Sequence, residues 1–145
     1  MSKRLLQEIM NIDGVEGVFI ASGRAKIIDK MGLKYGDDQL EEIALSFMRI
    51  AAGFHHHSQK INEIEFYWQN LFIVGKMAND FIIITACNNS KIIPLLRITL
   101  NVTTANLLED RKFAKIIKGQ VANKRFFLEK GEFTESEKKI ISKLN

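Results

Sequence analysis

The sequence predicts an α/β chain of the α+β kind, with strands covered by helices on both faces, in the order helix, strand, strand, helix, strand, strand, strand, helix. Three observations carry that prediction. The apolar residues repeat with a helical period over residues 40–54 and with a period of two over residues 64–68. Phe81-Ile82-Ile83-Ile84 is apolar at every position, as in a strand covered on both faces. The strand signals between Ile64 and Cys87 are separated only by Gln69-Asn70 and Ala78-Asn79-Asp80. Links this short force antiparallel neighbours, because a parallel crossover needs about a dozen residues.

Taken in order, Leu5, Leu6 and Ile9 share one side of a short helix that Asn11 to Gly14 ends. Val15 to Ile20 reads as a strand apolar enough to be covered on both faces, and Ser22-Gly23 supplies a turn. Ala25 to Met31 is a second strand with a weaker pattern, since Ile27 and Ile28 are adjacent instead of alternating. Gly32 and Gly36 bracket the next loop. Asp38 and Glu41 have capping-box spacing and predict the start of a long helix.

That helix carries two apolar strips. Leu40, Ile43, Ala44, Phe47, Ile50, Ala51 and Phe54 form the first and are assigned to the core. Leu45, Met48 and Ala52 form a second, flanked by Glu41 and His55, which calls for a second neighbour. A charge at Met48 is therefore expected to break an assembly, and a charge at Phe47 to damage the fold. The three-strand meander follows, with the apolar strand from Phe81 placed centrally. Asn88-Asn89-Ser90 offers caps to a last helix with Pro94 in its first turn, where a missing amide costs little. Leu95, Leu96, Ile98, Leu100, Val102, Leu107 and Leu108 predict that this helix is substantially buried.

With 145 residues, 46% of them hydrophobic, the chain can bury one core and is read as one domain, residues 1–110, followed by a basic helical extension, residues 111–145. Charge divides the same way. The first 109 residues carry 11 Lys and Arg against 12 Asp and Glu, while the last 36 carry 10 against 5. Phe113, Ile116 and Ile117 extend the last helix towards Gly119, and a capping box at Thr134 and Glu137 precedes Ile140, Ile141 and Leu144. Lys112, Lys115, Lys118, Lys124 and Arg125 are the candidate contacts for an acidic partner, an anionic surface or nucleic acid, or else the solvated side of amphipathic helices. The N-terminus carries charges before any apolar run, so neither a secretory signal nor membrane insertion is expected, and a cytoplasmic location is.

The inventory for chemistry is thin. His55-His56-His57 cannot present three imidazoles on one helical face, and no Cys or carboxylate pair nearby completes a metal site. No phosphate-binding loop of the Gly-x-x-x-x-Gly-Lys-Ser/Thr type occurs, and Gly14 and Gly17 are explained by turn geometry and close packing. Cys87, at the end of an apolar strand and without an adjacent base, reads as an inert packing thiol. Glu63 and Glu65 share a strand face as exposed carboxylates commonly do, and Tyr67 and Trp68 lack the interleaved Lys and Arg of a base-stacking surface. No catalytic residue, cofactor or metal ligand is assigned, and the chain is expected not to be an enzyme.

The element order, the segment Ile12-Asp13-Gly14-Val15-Glu16-Gly17-Val18 entering the first strand, and Phe81 to Ala86 leading to Leu95-Leu96-Arg97 together resemble the Roadblock and dynein light chain family. The resemblance covers roughly residues 3–108 and is nearest the bacterial MglB-like branch, regulators of a Ras-like GTPase. It implies a five-stranded antiparallel sheet with the long helix on one face and the first and last helices on the other. It also implies a homodimer in which the long helices pack antiparallel and the third strands pair edge to edge. On this chain the dimer contacts would be Leu45, Met48, Ala52 and His55 on the helix, with Ile64, Phe66 and Trp68 on a shared edge running from Ile61. The implied partner is a small Ras-like GTPase, with no arginine assigned as a finger. A basic binder of nucleic acid or an anionic surface, using the extension, is the alternative, and a small-ligand sensor is a third reading.

Overall fold

The computed structural model describes residues 2–56, 62–68, 70–78 and 80–118, and for His55, His56 and Trp68 it describes the backbone alone. Helix α1 (Ser2–Met10) leads into β1 (Val15–Ser22) and β2 (Ile27–Met31); α2 (Asp37–His56) follows. Strands β3 (Glu63–Trp68), β4 (Leu71–Met77) and β5 (Phe81–Cys87) come next, then a 3-10 turn (Ser90–Ile92), α3 (Ile93–Glu109) and α4 (Arg111–Lys118). The strands form one five-stranded sheet in the order β2-β1-β5-β4-β3, antiparallel throughout. The predicted fold class and element order are those observed.

The apolar run of β5 accounts for its central place. All seven of its residues are buried, and they alternate between two cores. Ile82, Ile84 and Ala86 join Phe19 of β1 and Leu40, Ala44, Phe47, Ile50, Ala51 and Phe54 of α2 on one face. Phe81, Ile83 and Cys87 join Val18 and Ile20 of β1, Leu5, Leu6 and Ile9 of α1, and Leu96, Leu100 and Leu107 of α3 on the other. A strand supplying both cores has no polar face to offer, hence the unbroken apolar run. Thr85 is its one hydroxyl, and its Oγ1 donates to the carbonyl of Val74 at 3.1 Å.

Two glycines of the first strand region behave as the sequence implies. Gly14 has φ +100°, and a Cβ at Gly17 would come within 2.2 Å of Leu33 Cγ. Elsewhere the boundaries move. The second strand begins at Ile27 because Ala25 takes φ 63° in a turn closed by the Ser22 hydroxyl, which accepts from the amides of Arg24 and Lys26 at 3.2 Å. Helix α2 is not capped by Asp38. The Gly36 carbonyl accepts from Gln39 at 3.1 Å and Leu40 at 3.2 Å, which places Asp37 and Asp38 inside the first turn, against the positive end of the helix dipole.

The last helix departs further from expectation. Its first turn holds Pro94 as expected, but Asn89 Oδ1, which accepts from the Lys91 amide at 2.9 Å, caps the preceding 3-10 turn, and α3 itself begins at Ile93 without a side-chain cap. It does not continue through Phe113. Asp110 adopts ψ 113°, breaks the helix and starts α4, whose Phe113 meets Phe81 edge to face at 4.9 Å. Nor is α3 buried throughout, since Leu95, Ile98, Val102 and Leu108 are exposed. The sheet covers one side of α3 only, and the sequence supplied apolar residues for two. Residues 119–145, including the predicted helix after Thr134, lie outside the described residues.

Candidate functional site

The sheet has two border strands, β2 and β3, and the border at β3 is the first candidate. On one side β3 pairs with β4 from Glu63↔Lys76 to Trp68↔Leu71. Asn70, which precedes β4, takes φ 66°. Asn62 accepts from the Met77 amide at 2.7 Å, which fixes the alternation of the ladder. Residues 62, 64, 66 and 68 exchange peptide hydrogen bonds with β4. Glu63, Glu65 and Tyr67 therefore turn their amides and carbonyls to the open side. An edge with such unpaired groups is a template for another strand.

Side chains on β3 divide between the faces. Ile64 is buried and Phe66 half-buried against α2, with the Phe66 and Phe47 rings 4.9 Å apart. Glu63 and Glu65 lie on the other face. Arg97 of α3 places Nε and a terminal guanidinium nitrogen 2.9 and 2.7 Å from one Glu63 oxygen, and Lys76 stands 3.6 Å from the other. Those hydrogen bonds and the Glu63 charge push the Arg97 guanidinium further up from its ordinary value. The two glutamates thus tie α3 to the sheet border, which is a structural role. Tyr67 is exposed beside them, its ring 5.0 Å from Phe72. Of the candidate edge residues, the side chain of Trp68 and all of Ile61 lie outside the described residues.

On α2 the two strips are not distinguished by exposure as expected. Met48 and Ala52 are each 4% exposed and belong to the same core cluster as Phe47, while Leu45 is half-buried at its margin. From Phe47 to Phe54 the helix is buried at every position. A charge at Met48 would consequently disturb folding as well as any assembly, which corrects the expectation that it acts on assembly alone. The β3 edge remains the accessible part of the candidate dimer surface, whereas Leu45 lies beside Arg24, Ala25 and Lys26 of the β1–β2 turn, away from that edge. The His55 side chain lies outside the described residues.

The extension contributes Lys112, Lys115 and Lys118, all exposed on the side of α4 opposite the buried Phe113 and Ile117. Lys124 and Arg125 lie outside the described residues. A cleft of about 390 Å³ between the β1–β2 turn and the start of α2 is lined by Arg24, Lys26, Asp38, Glu41 and Leu45, and Lys26 stands 3.6 Å from Glu41 there. Among the described residues no three His, Cys, Asp or Glu side chains converge for a metal, and no helix is long and apolar enough to cross a membrane.

Cys87 is fully buried, and burial pushes its thiol up from the ordinary value of 9.0. The folded chain holds the neutral thiol, so this group favours folding below the ordinary thiol pKa and loses that contribution as pH rises through the raised value. Alkylation of Cys87 by a maleimide at neutral pH is expected to be slow in the native protein and fast in denaturant; rapid native labelling would contradict the packing role.

Similarity to solved structures bears on the whole arrangement. Myxococcus xanthus MglB superposes with a TM-score of 0.61 at 11% identity, over 83% of this chain and 86% of that one. The chain has a Roadblock-like fold of the MglB type. A gliding protein MglB from Thermus thermophilus gives 0.54 at 9% identity over 81% and 89% of the two chains. A Roadblock/LC7 domain from Streptomyces avermitilis gives 0.52 at 8% identity over 72% and 96%. No family model matches the sequence, and no curated protein does. At these identities the likeness is one of fold.

Proposed function

We propose that this chain is a non-enzymatic homodimeric module that binds a small Ras-like GTPase and regulates or positions it. The observation that carries the reading is the open β3 edge, with the peptide groups of Glu63, Glu65 and Tyr67 unpaired in the sheet, on an MglB-type Roadblock fold. Two copies joined at this edge would form one continuous sheet, with the α2 helices on one face of it. The absence of assigned catalytic residues in the sequence fits a partner that orders the GTPase's own machinery.

Affinity purification of the full chain from its native cells, followed by mass measurement of the purified protein, tests the reading. A dimeric mass and recovery of a Ras-like GTPase are expected. A strictly monomeric mass with no GTPase recovered would overturn it. A second reading has one observation in its favour: Lys112, Lys115 and Lys118 stand together on the exposed side of α4. A basic contact to nucleic acid or an anionic surface would show as binding that weakens steeply with salt.

A further inference from the structure

Helix α3 has a second apolar face that the described residues leave open. Its buried side holds Leu96, Leu100, Thr103, Thr104 and Leu107. On the opposite side Leu95 is 53% exposed, Ile98 63% and Val102 55%, with Pro94 and Ala105 also exposed. At about 100° per residue these five fall within an arc of roughly 100° directed away from the sheet, along about 16 Å of helix. A helix apolar on both sides is ordinarily a covered one.

We propose that this face pairs with the same face of a second copy, antiparallel, about a two-fold axis passing between Ile98 and Val102. The charges at the two ends of the strip select that occupant and that direction. Lys91, in the 3-10 turn, and Glu109, the last residue of α3, are both exposed; at about 120° per residue through the 3-10 turn and about 100° through α3 they lie about five turns apart and within roughly 40° of one another, hence on the same side. Among the described residues neither side chain makes an ion pair. In the antiparallel pair Ile98 of each copy meets Val102 of the other, Leu95 meets Ala105, and Lys91 meets Glu109 at both ends by symmetry. A parallel pair would set lysine against lysine and glutamate against glutamate. The strip is thus complementary to itself in one orientation.

This contact is separate from the β3 edge. Arg97 and its pairing with Glu63 flank the strip, and the edge amides of β3 point along the sheet plane, not out from the face that α3 covers. Both contacts can form at once and would join dimers into larger assemblies. A single helix pair of this length lies at or below the small end of the stable-interface range of about 1,200–2,000 Å². The association is accordingly expected to depend on concentration.

Sedimentation velocity of the full chain over a concentration series tests the proposal. The mass is expected to at least double as concentration rises. Ile98→Asp, at an exposed position, is expected to abolish that rise with the thermal midpoint and circular dichroism retained. Lys91→Glu and Glu109→Lys are each expected to weaken the association severalfold. Mixing those two single variants is expected to restore it, because each mixed pair recovers both opposite-charge contacts. A mass independent of concentration, a rise that survives Ile98→Asp, or charge variants that do not recover on mixing would each overturn the proposal. Disrupting the β3 edge changes a different step, so failure here and failure of edge dimerisation are distinguishable in the same experiment.

Discussion

Phe47→Ala is expected to lower the unfolding free energy by about 3–5 kcal/mol, the usual cost of truncating a buried phenylalanine. Phe47 is fully buried at the centre of the α2 core, and its ring meets Phe66 of the border strand at 4.9 Å. It also lies over Gly75 of β4, where an added Cβ would come within 2.4 Å of the ring. No other side chain occupies that space, so truncation leaves a cavity instead of a repacked contact. Domains of this size hold about 5–15 kcal/mol in total, so the loss is a large part of the whole. Urea denaturation should show a lower midpoint with an unchanged slope. Gly75→Ala should cost less in the Phe47→Ala background than in the native chain, because the ring it would strike is gone.

Glu65→Pro is expected to convert the proposed edge-paired dimer to a monomer while leaving the sheet folded. Residue 65 sends its amide to the open side, so proline there removes a donor needed by a partner strand and none used by β4. Light scattering at low concentration, where the weaker α3 contact is dissociated, reads the change directly. Retained dimers with a folded spectrum would exclude the β3 edge as the interface. Ile64→Pro provides the contrast, since its amide belongs to the β4 ladder and its loss should unfold the border instead.

The fold was readable because periodicity reports faces. The apolar run at Phe81–Ile84, the short turns beside Asn70 and Asp80, and the stripe through Phe47 each have one economical structural solution, which the chain adopts. The readable part of the candidate site was the border strand, though its decisive property, that Glu63, Glu65 and Tyr67 face outward with their backbone, depends on ladder register and not on side-chain type. Helix α3 was misjudged for a related reason. A sequence shows that both sides of a helix are apolar, but not whether the same chain provides a neighbour for each. Met48 and Ala52 are the converse, an apparent outer strip that the single chain already buries. The break at Asp110 was hidden because Phe113 and Ile117 continue an apolar pattern across it. The tie from Arg97 to Glu63 joins residues far apart in the chain, for which local spacing carries no signal.

The sheet order has a consequence for how the chain comes to be folded. Strands β1 and β2 are neighbours in sequence, and so are β3, β4 and β5; the two groups meet along one seam, where Phe19 pairs with Ile84 across most of the domain. Each group can assemble by local encounters, whereas the seam must wait for the largest loop to close. During synthesis the first group has no partner for its inner edge until residue 87 has left the ribosome, so its apolar strand β1 is the stretch most in need of protection from other nascent chains.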